Sequence, residues 1–305
     1  MNEAEFLGEL RTLPLHPGAR GLRDDAAVVG GFVLTTDTLV EGVHFLGRDP
    51  AADVAWKLVA VNLSDLAAKG AVVEGVMLNL PLSDDGWDRG FLAGLREVLG
   101  AHDAPLIGGD TVSLPAGAPR VLSCTAIGRD APAPSRTGAR AGDALWVTGT
   151  IGDAGAGLRI AGGEDGPAML LAAYRRPQPR LAAGRAIGPH VHAMADVSDG
   201  LLIDAARIAA ASGLGVTIDL AAVPLSPAYA DHVGCDRPAR LAAATAGDDY
   251  ELLFAADPGW TPPALAGIAV TRLGGFTTGA GLSLHDGGVP VPLPARLGWE
   301  HATFC

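Results

Sequence analysis

Residues 35–45 read TTDTLVEGVHF, directly after the apolar run GGFVL at 30–34. A segment that opens like a buried strand thus runs into Thr35, Thr36 and Asp37, with His44 seven residues beyond the aspartate. Strand ends commonly frame sites, and hydroxyls beside a carboxylate are hard oxygen donors of the kind Mg2+ takes. A polar turn accounts for the same letters, so the decision falls to the rest of the chain.

The 305 residues are long enough for two domains, and 49% hydrophobic with 18% charged residues is the profile of a globular protein with a sizeable core. The opening MNEAEFLGELRTL carries acids early and spaces Phe6, Leu7, Leu10 and Leu13 as a short amphipathic helix does, unlike a signal peptide. No apolar run reaches bilayer length, so the expectation is a cytoplasmic protein without a membrane partner. Cys124, Cys235 and Cys305 are far apart and odd in number, which indicates neither a disulfide framework nor a zinc site.

A formal net charge of −12 argues against nucleic-acid binding through phosphate contacts. It does not exclude small phosphate ligands, because divalent cations bridge carboxylates to phosphate oxygens. The only lysines are Lys57 and Lys69, and neither lies in G-x-x-x-x-G-K-[ST], which excludes a P-loop. GDAGAGL and GLGVTID do not give the dinucleotide fingerprint G-x-G-x-x-G either.

Strand-like FVLTT, VEGVMLNL and RVLSCTAIG alternate with helix-like DVAWKLVAVNLSDLAAKG and GWDRGFLAGLREVLGAH, and a similar alternation follows in the second half. The fold class is therefore mixed α/β. The Pro-, Ala-, Gly- and Arg-rich DAPAPSRTGARAG reads as an interdomain connection, which divides the chain into 1–135 and 136–305. There is no fixed-period repeat.

Acidic residues recur at element ends. Asp24 and Asp25 precede a strand expected to end at Thr35, Thr36 and Asp37; Asp110 and Thr111 follow the paired glycines of PLIGGDTV; Asp248 and Asp249 stand before YELLF. In NLSDLAAKGA, Asn62, Asp65 and Lys69 share one helix face away from Val54, Leu58 and Val61, where a surface Asp65–Lys69 pair is the plain alternative. In ADVSDGLLIDAARIAAASG, Ser198 or Asp199 can cap the helix that follows, but capping leaves Asp196 unexplained. Turns explain each site singly; five such sites together favour a multi-metal phosphate site.

Taken in order, RDDAAVV, LTTDTLVEGVHF, NLSDLAAKGA, LIGGDTV, SRTGARAGDALWVTGTIGDAGAGL, YRRPQPRLAAGRAI, ADVSDGLLIDAARIA, GDDYELLF and the terminal GWEH resemble the thiamine-monophosphate kinase family. That family belongs with aminoimidazole ribonucleotide synthetase, selenophosphate synthetase and HypE in the PurM-like superfamily. The resemblance implies a two-domain PurM-like fold: an N-terminal sheet domain that binds ATP and metal and dimerises, and a C-terminal α/β domain. It implies a homodimer that converts ATP and thiamine monophosphate to ADP and thiamine diphosphate, with several Mg2+ ions and K+ as a candidate monovalent cofactor. Asp25, Thr35, Thr36, Asp37, Asp65, Asp110 and Asp196 correspond to the family's metal ligands, and Asp199 to a further metal position. Gly109, Arg136 and Ser198, with Asp110 beside Gly109, correspond to positions contacting ATP, and His44, Asp248 and Trp299 to positions facing the thiamine substrate.

On that reading several metal ions offset the repulsion between two anionic substrates, and catalysis is positioning plus electrostatics with no covalent nucleophile. Trp299 offers a face to the thiazolium, with a cation–π contribution of about 0.5–2 kcal/mol. Two departures stand out: Asp248 where the family usually has glutamate, and Lys69 where it often has methionine, the latter expected either to perturb a metal site or to face solvent. The ending HATFC is also unusual. The rival readings are another ATP-dependent enzyme of the superfamily and a non-catalytic nucleotide- or metal-binding module. Selenophosphate synthetase is disfavoured because no cysteine precedes Cys124.

Overall fold

The structure is a computed structural model that describes residues 3–129 and 133–300. After the short helix α1 (Glu3–Leu10), the first half builds a five-stranded sheet from β1 (Ala27–Val29), β2 (Phe32–Val40), β3 (Val72–Leu82), β4 (Leu106–Ser113) and β5 (Val121–Arg129), in the order β1-β2-β5-β3-β4. Helices α2 (Ala51–Ala68) and α3 (Asp85–Ala101) complete it. The pairings are antiparallel except β3 with β4, which run parallel because α3 carries the chain back between them. The terminal segment HATFC and part of the connection DAPAPSRTGARAG lie outside the described residues.

The second half has β6 (Ala144–Thr148), α4 (Asp153–Gly162), α5 (Ala168–Arg175), α6 (Leu181–Ile187), β7 (Ala193–Asp196), α7 (Leu201–Ala211), β8 (Gly215–Asp219), α8 (Pro227–His232), α9 (Arg237–Thr245), β9 (Leu252–Ala256), β10 (Val270–Thr277), β11 (Gly281–Asp286) and β12 (Val289–Val291). Its seven strands are ordered β12-β11-β8-β10-β6-β9-β7. Strands β7 and β9 read AMAD and LLFAA and are buried at every position, as strands covered on both faces must be. No helix among the described residues is long and apolar enough to cross a membrane.

Helix α2 joins the two sheets. It packs on β2 and β5 of the first and on α6 and β7 of the second. Its sequence is apolar nearly all round, the composition of a helix with no solvent face. Leu58, Leu63 and Leu66 are fully buried, each stabilising by about 1.5–3 kcal/mol. The α2–α6 approach is close: a Cβ on Gly184 would lie 1.9 Å from the Ala67 carbonyl oxygen, so only glycine fits there. The plain alternative of a surface Asp65–Lys69 pair does not hold: Asn62, Ser64 and Lys69 are buried and Asp65 half-buried, because the second half of the chain covers that face.

Two strand ends also fall elsewhere than expected. Strand β2 does not stop at Asp37 but pairs with β5 through Val40, because β-branched Thr35, Thr36 and Thr38 suit a pleated ladder. GGDT in β4 is strand and not a turn, since Gly109, Asp110 and Thr111 pair with Leu78, Asn79 and Leu80 of β3. Gly109 has φ 155°, and a Cβ there would meet the Leu78 carbonyl oxygen at 1.9 Å.

Candidate active site

Where the two sheets meet, four carboxylates converge. β2 supplies Asp37, α2 supplies Asp65, the end of β7 supplies Asp196, and Asp25 precedes β1. Asp25, Asp65 and Asp196 each present an oxygen, and these atoms lie within 4.8 Å of one another. Thr35 Oγ1 donates to Asp65, and Ser64 Oγ donates to Asp196 Oδ2 at 2.5 Å. Asn62 accepts from the Asp37 backbone N–H at 3.0 Å and donates to the Leu58 carbonyl at 2.9 Å. One helix thus steadies two strands, β2 and β7.

Burial and crowding set the protonation of the cluster. Burial, with the Asp25 and Asp199 charges, pushes Asp37 up to about 6. Burial and the Asp25 charge push Asp196 up to about 8. Asp65 is driven well above the ordinary range by burial and then by Asp37, Asp196 and Asp25. Asp25 goes the other way: burial opposes its charge, but Arg136 and Lys69 outweigh that and hold it at about 2. Buried, mutually repelling oxygen donors fit a hard divalent cation such as Mg2+, whose charge removes the repulsion.

Asp196 leads into a turn organised from an unexpected quarter. Neither Ser198 nor Asp199 caps α7; Gly200 stands at its start without a side-chain cap. Instead Asp204, from the first turn of the helix, reaches back to accept the N–H groups of Ser198, Asp199 and Gly200 at 3.1, 3.1 and 3.2 Å. Arg207 bonds both Asp199 and Asp204. Burial, partly offset by Arg207, leaves Asp204 raised to about 6.

Beside the carboxylates opens a cavity of about 760 Å³ whose walls include Thr36, Asp37, His44, Asp65, Asp196, Ser198, Asp199, Asp248, Tyr250 and Trp299. His44 sits in the turn after β2, where its Nδ1 accepts the Val40 N–H at 3.0 Å. The loop before β9 is tied to the Asp196 turn by Asp248 N–H to Ser198 O and Tyr250 N–H to Val197 O, both 2.8 Å. Asp248 and Tyr250 have φ of 70° and 51°, left-handed values for residues with side chains and a strain that marks functional loops. The DD pair splits: Asp248 faces the cavity, whereas Asp249 accepts the Gly152 N–H at the start of α4. Trp299 is 52% exposed at the rim, its backbone N–H donating to the Asp199 carbonyl at 2.8 Å.

Not every candidate comes to this place. Thr35 and Thr36 are consecutive in a strand and point to opposite faces. Both stay at the site: Thr35 turns to Asp65, while Thr36 lines the cavity with its hydroxyl bonded to the Cys124 carbonyl at 3.0 Å. Gly109 and Asp110 are exposed on the edge strand, outside the cavity walls. Register runs Asp37–Cys124–Leu78–Gly109 across β2, β5, β3 and β4, so Gly109 lies about 14 Å from Asp37 at ~4.8 Å per strand. Arg136 reaches the cluster through its bond to Asp25.

The expectation that Lys69 either faces solvent or disturbs a metal site resolves inward. Its Nζ donates to Asp24 at 2.5 Å, Asp25 at 2.7 Å and the Met194 carbonyl at 3.1 Å, with the side chain wholly buried. Reasoning from sequence missed Lys57, Ser64, Tyr250 and Asp204 as parts of this site. One signal was available for Lys57: a lone lysine amid the apolar α2 has to find a buried partner.

The two halves of the chain match the AIR synthase related proteins: the N-terminal domain of that family matches residues 23–129 and its C-terminal domain residues 140–260. Among curated relatives, thiamine-monophosphate kinase of Caulobacter vibrioides is 41% identical over 93% of this chain and 86% of its own length. The enzyme of the same name from Escherichia coli K12 is 37% identical over 92% and 91% respectively. The chain belongs to the thiamine-monophosphate kinase family. In structure it superposes on AaThiL, solved as a complex with AMPPCP and TMP, with TM-score 0.86 and 28% identity over 99% of this chain and 97% of that one.

Proposed function

We propose that this chain transfers the γ-phosphoryl group of ATP to thiamine monophosphate, giving thiamine diphosphate and ADP. The observation that carries the reading is the cavity wall itself: Asp37, Asp65 and Asp196 share one space with His44, Asp248 and Trp299, so metal-binding and substrate-binding groups meet. The complex of AaThiL with AMPPCP and TMP supports the choice of substrates.

An oxygen of the thiamine monophosphate phosphate forms the new bond to the γ-phosphorus while the bond to the β,γ-bridging oxygen breaks, and ADP leaves with that electron pair. The attacking oxygen is already largely ionised near neutral pH, so no side chain serves as nucleophile. Several Mg2+ ions, held by Asp37, Asp65, Asp196 and Asp199 with Asp25 beside them, would supply the positive charge that two anionic substrates require. K+ is the candidate monovalent ion. Ser198 and Arg136 border the nucleotide, His44 and Asp248 hold the thiamine moiety, and Trp299 covers it at the rim. Asp204 keeps the 198–200 turn rigid, which fixes Asp199 and Ser198 relative to Asp196.

The same reading includes a homodimer formed through the first sheet, the division near residue 135 into an N-terminal nucleotide and metal half and a C-terminal half, and a cytoplasmic location where ATP is available. Support for the dimer comes from the sheet face turned away from α2 and α3, where Phe32, Val72, Met77 and Val121 are exposed, with Leu106, Ile107 and Val112 on the edge strand. In a dimer, Gly109 and Asp110 face a second copy and need not reach their own chain's cavity.

The test is a label-transfer experiment with ATP carrying labelled γ-phosphate. Label is expected in thiamine diphosphate when thiamine monophosphate is the acceptor, and not in thiamine monophosphate when free thiamine is offered. Label appearing only in inorganic phosphate would refute the assignment.

A further inference from the structure

The site carboxylates fall into two groups according to what neutralises them. Asp24 receives Arg20 Nη1 at 2.6 Å and Lys69 Nζ at 2.5 Å. Asp25 has both oxygens engaged, Oδ1 by Arg136 and Oδ2 by Lys69. Among the described residues, no lysine or arginine pairs with Asp37, Asp65 or Asp196, whose contacts are hydroxyls and one another. One side of the cluster therefore carries its own cations, and the other carries none.

The two cations on Asp25 differ in their freedom. Arg136 keeps 20% of its side chain exposed and has a buried Nε without a partner, so it can exchange Asp25 for another anion. Lys69 has no exposed surface, and its three N–H bonds are spent on Asp24, Asp25 and the Met194 carbonyl. It closes the C-terminus of α2, where Gly70 at φ +63° turns the chain away and meets Gly184 of α6. Moving the ammonium out would leave Asp24 with Arg20 alone, Asp25 with Arg136 alone and the Met194 carbonyl without its donor, all in a buried place, which is unfavourable.

We propose that Lys69 is a built-in cation of the active site: a positioning residue whose ammonium stands against Asp24 and Asp25 where a metal ion would otherwise bind. Divalent ions then gather on Asp37, Asp65 and Asp196, and the chain takes up one fewer of them than it would without the lysine. The inference rests on the reading of the carboxylate cluster as a Mg2+ site. A fixed positive charge 2.7 Å from Asp25 Oδ2 repels a divalent ion from that oxygen and holds the carboxylate in place before any metal arrives.

The experiment counts Mn2+ bound to the nucleotide-free full chain, from the EPR signal of free Mn2+, for the parent protein and for Lys69→Met. The variant is expected to bind one ion more than the parent. Its Tm is expected to be lower than the parent's without metal and to recover with Mg2+, as the ion takes the lysine's place. Equal stoichiometry in the two proteins overturns the inference while leaving the metal reading intact. Should Lys69→Met fail to fold, Asp25→Asn in the parent decides: an unchanged Mn2+ count supports the inference, and loss of one ion contradicts it. Absence of Mn2+ binding in the parent would remove the metal reading and this inference together.

Discussion

Lys57 Nζ lies 2.7 Å from Asp248 Oδ2, a contact between the middle of α2 and the strained loop before β9. The same ammonium donates to the His44 carbonyl at 3.1 Å and stands 4.2 Å from the centroid of the Tyr174 ring. Tyr250 Oη completes the arrangement by donating to Asp248 Oδ1 at 2.9 Å. A buried cation thus positions two groups assigned to the thiamine moiety.

Lys57→Met is therefore expected to act on substrate binding. KM for thiamine monophosphate should rise about tenfold, equivalent to ~1.4 kcal/mol, with a much smaller change in kcat. Steady-state kinetics with saturating ATP checks this; an equal fall in kcat with KM unchanged would place Lys57 in the phosphoryl-transfer step instead.

Neutralising the crowded carboxylates should separate stability from activity. Above pH about 6 for Asp37 and above about 8 for Asp196 the carboxylate is a buried charge that its neighbours oppose, so in those ranges the metal-free Asp37→Asn and Asp196→Asn variants should melt above the parent. Turnover should fall by about 10²-fold or more, because the charge that gathers cations is lost. Calorimetry in EDTA and a product assay on the same preparations read both effects.

The pH dependence of metal-free stability follows from the same groups. Asp37 at about 6 and Asp196 at about 8 hold protons in the folded state at pH values where the unfolded chain, near 3.8, has lost them. The folded state then binds more protons, so stability falls as pH rises from about 4 to about 8. Asp25, at about 2, contributes in the opposite sense: its stabilisation is full above 3.8 and is lost as pH falls toward 2. Tm measured between pH 5 and 8 in EDTA should decline through these groups, and Mg2+ should flatten the slope.

Asp204 is a structural prediction of another kind. Asp204→Ala leaves three N–H groups of the 198–200 turn without their acceptor and Arg207 with Asp199 alone, at a cost of about 3–5 kcal/mol. Denaturant unfolding checks the magnitude, and Asp204→Asn, which retains one acceptor oxygen, should recover part of it.

Much of this site is legible in the sequence because carboxylates at element boundaries are local features. Asp37, Asp65, Asp196, His44, Asp248 and Trp299 come from five separate segments and line one cavity. What the sequence hides is burial that depends on the other half of the chain. Asn62, Asp65 and Lys69 read as a polar helix face, and that face is polar, but α6 and β7 cover it and turn its side chains into anchors for Asp37, Asp196, Asp24 and Asp25. Strand alternation is a second hidden constraint, for it separates Thr35 from Thr36 although the letters are adjacent. A third is the backward reach of Asp204, which the expectation of an ordinary cap at Ser198 or Asp199 did not contain.

The most direct measurement follows both products of purified protein, ATP, Mg2+ and thiamine monophosphate by chromatography in a single time course. Thiamine diphosphate and ADP should appear in equal amounts, and both should disappear in Asp37→Asn. ADP without thiamine diphosphate would mean hydrolysis or a different acceptor, and absence of both would show a binding module in place of a kinase.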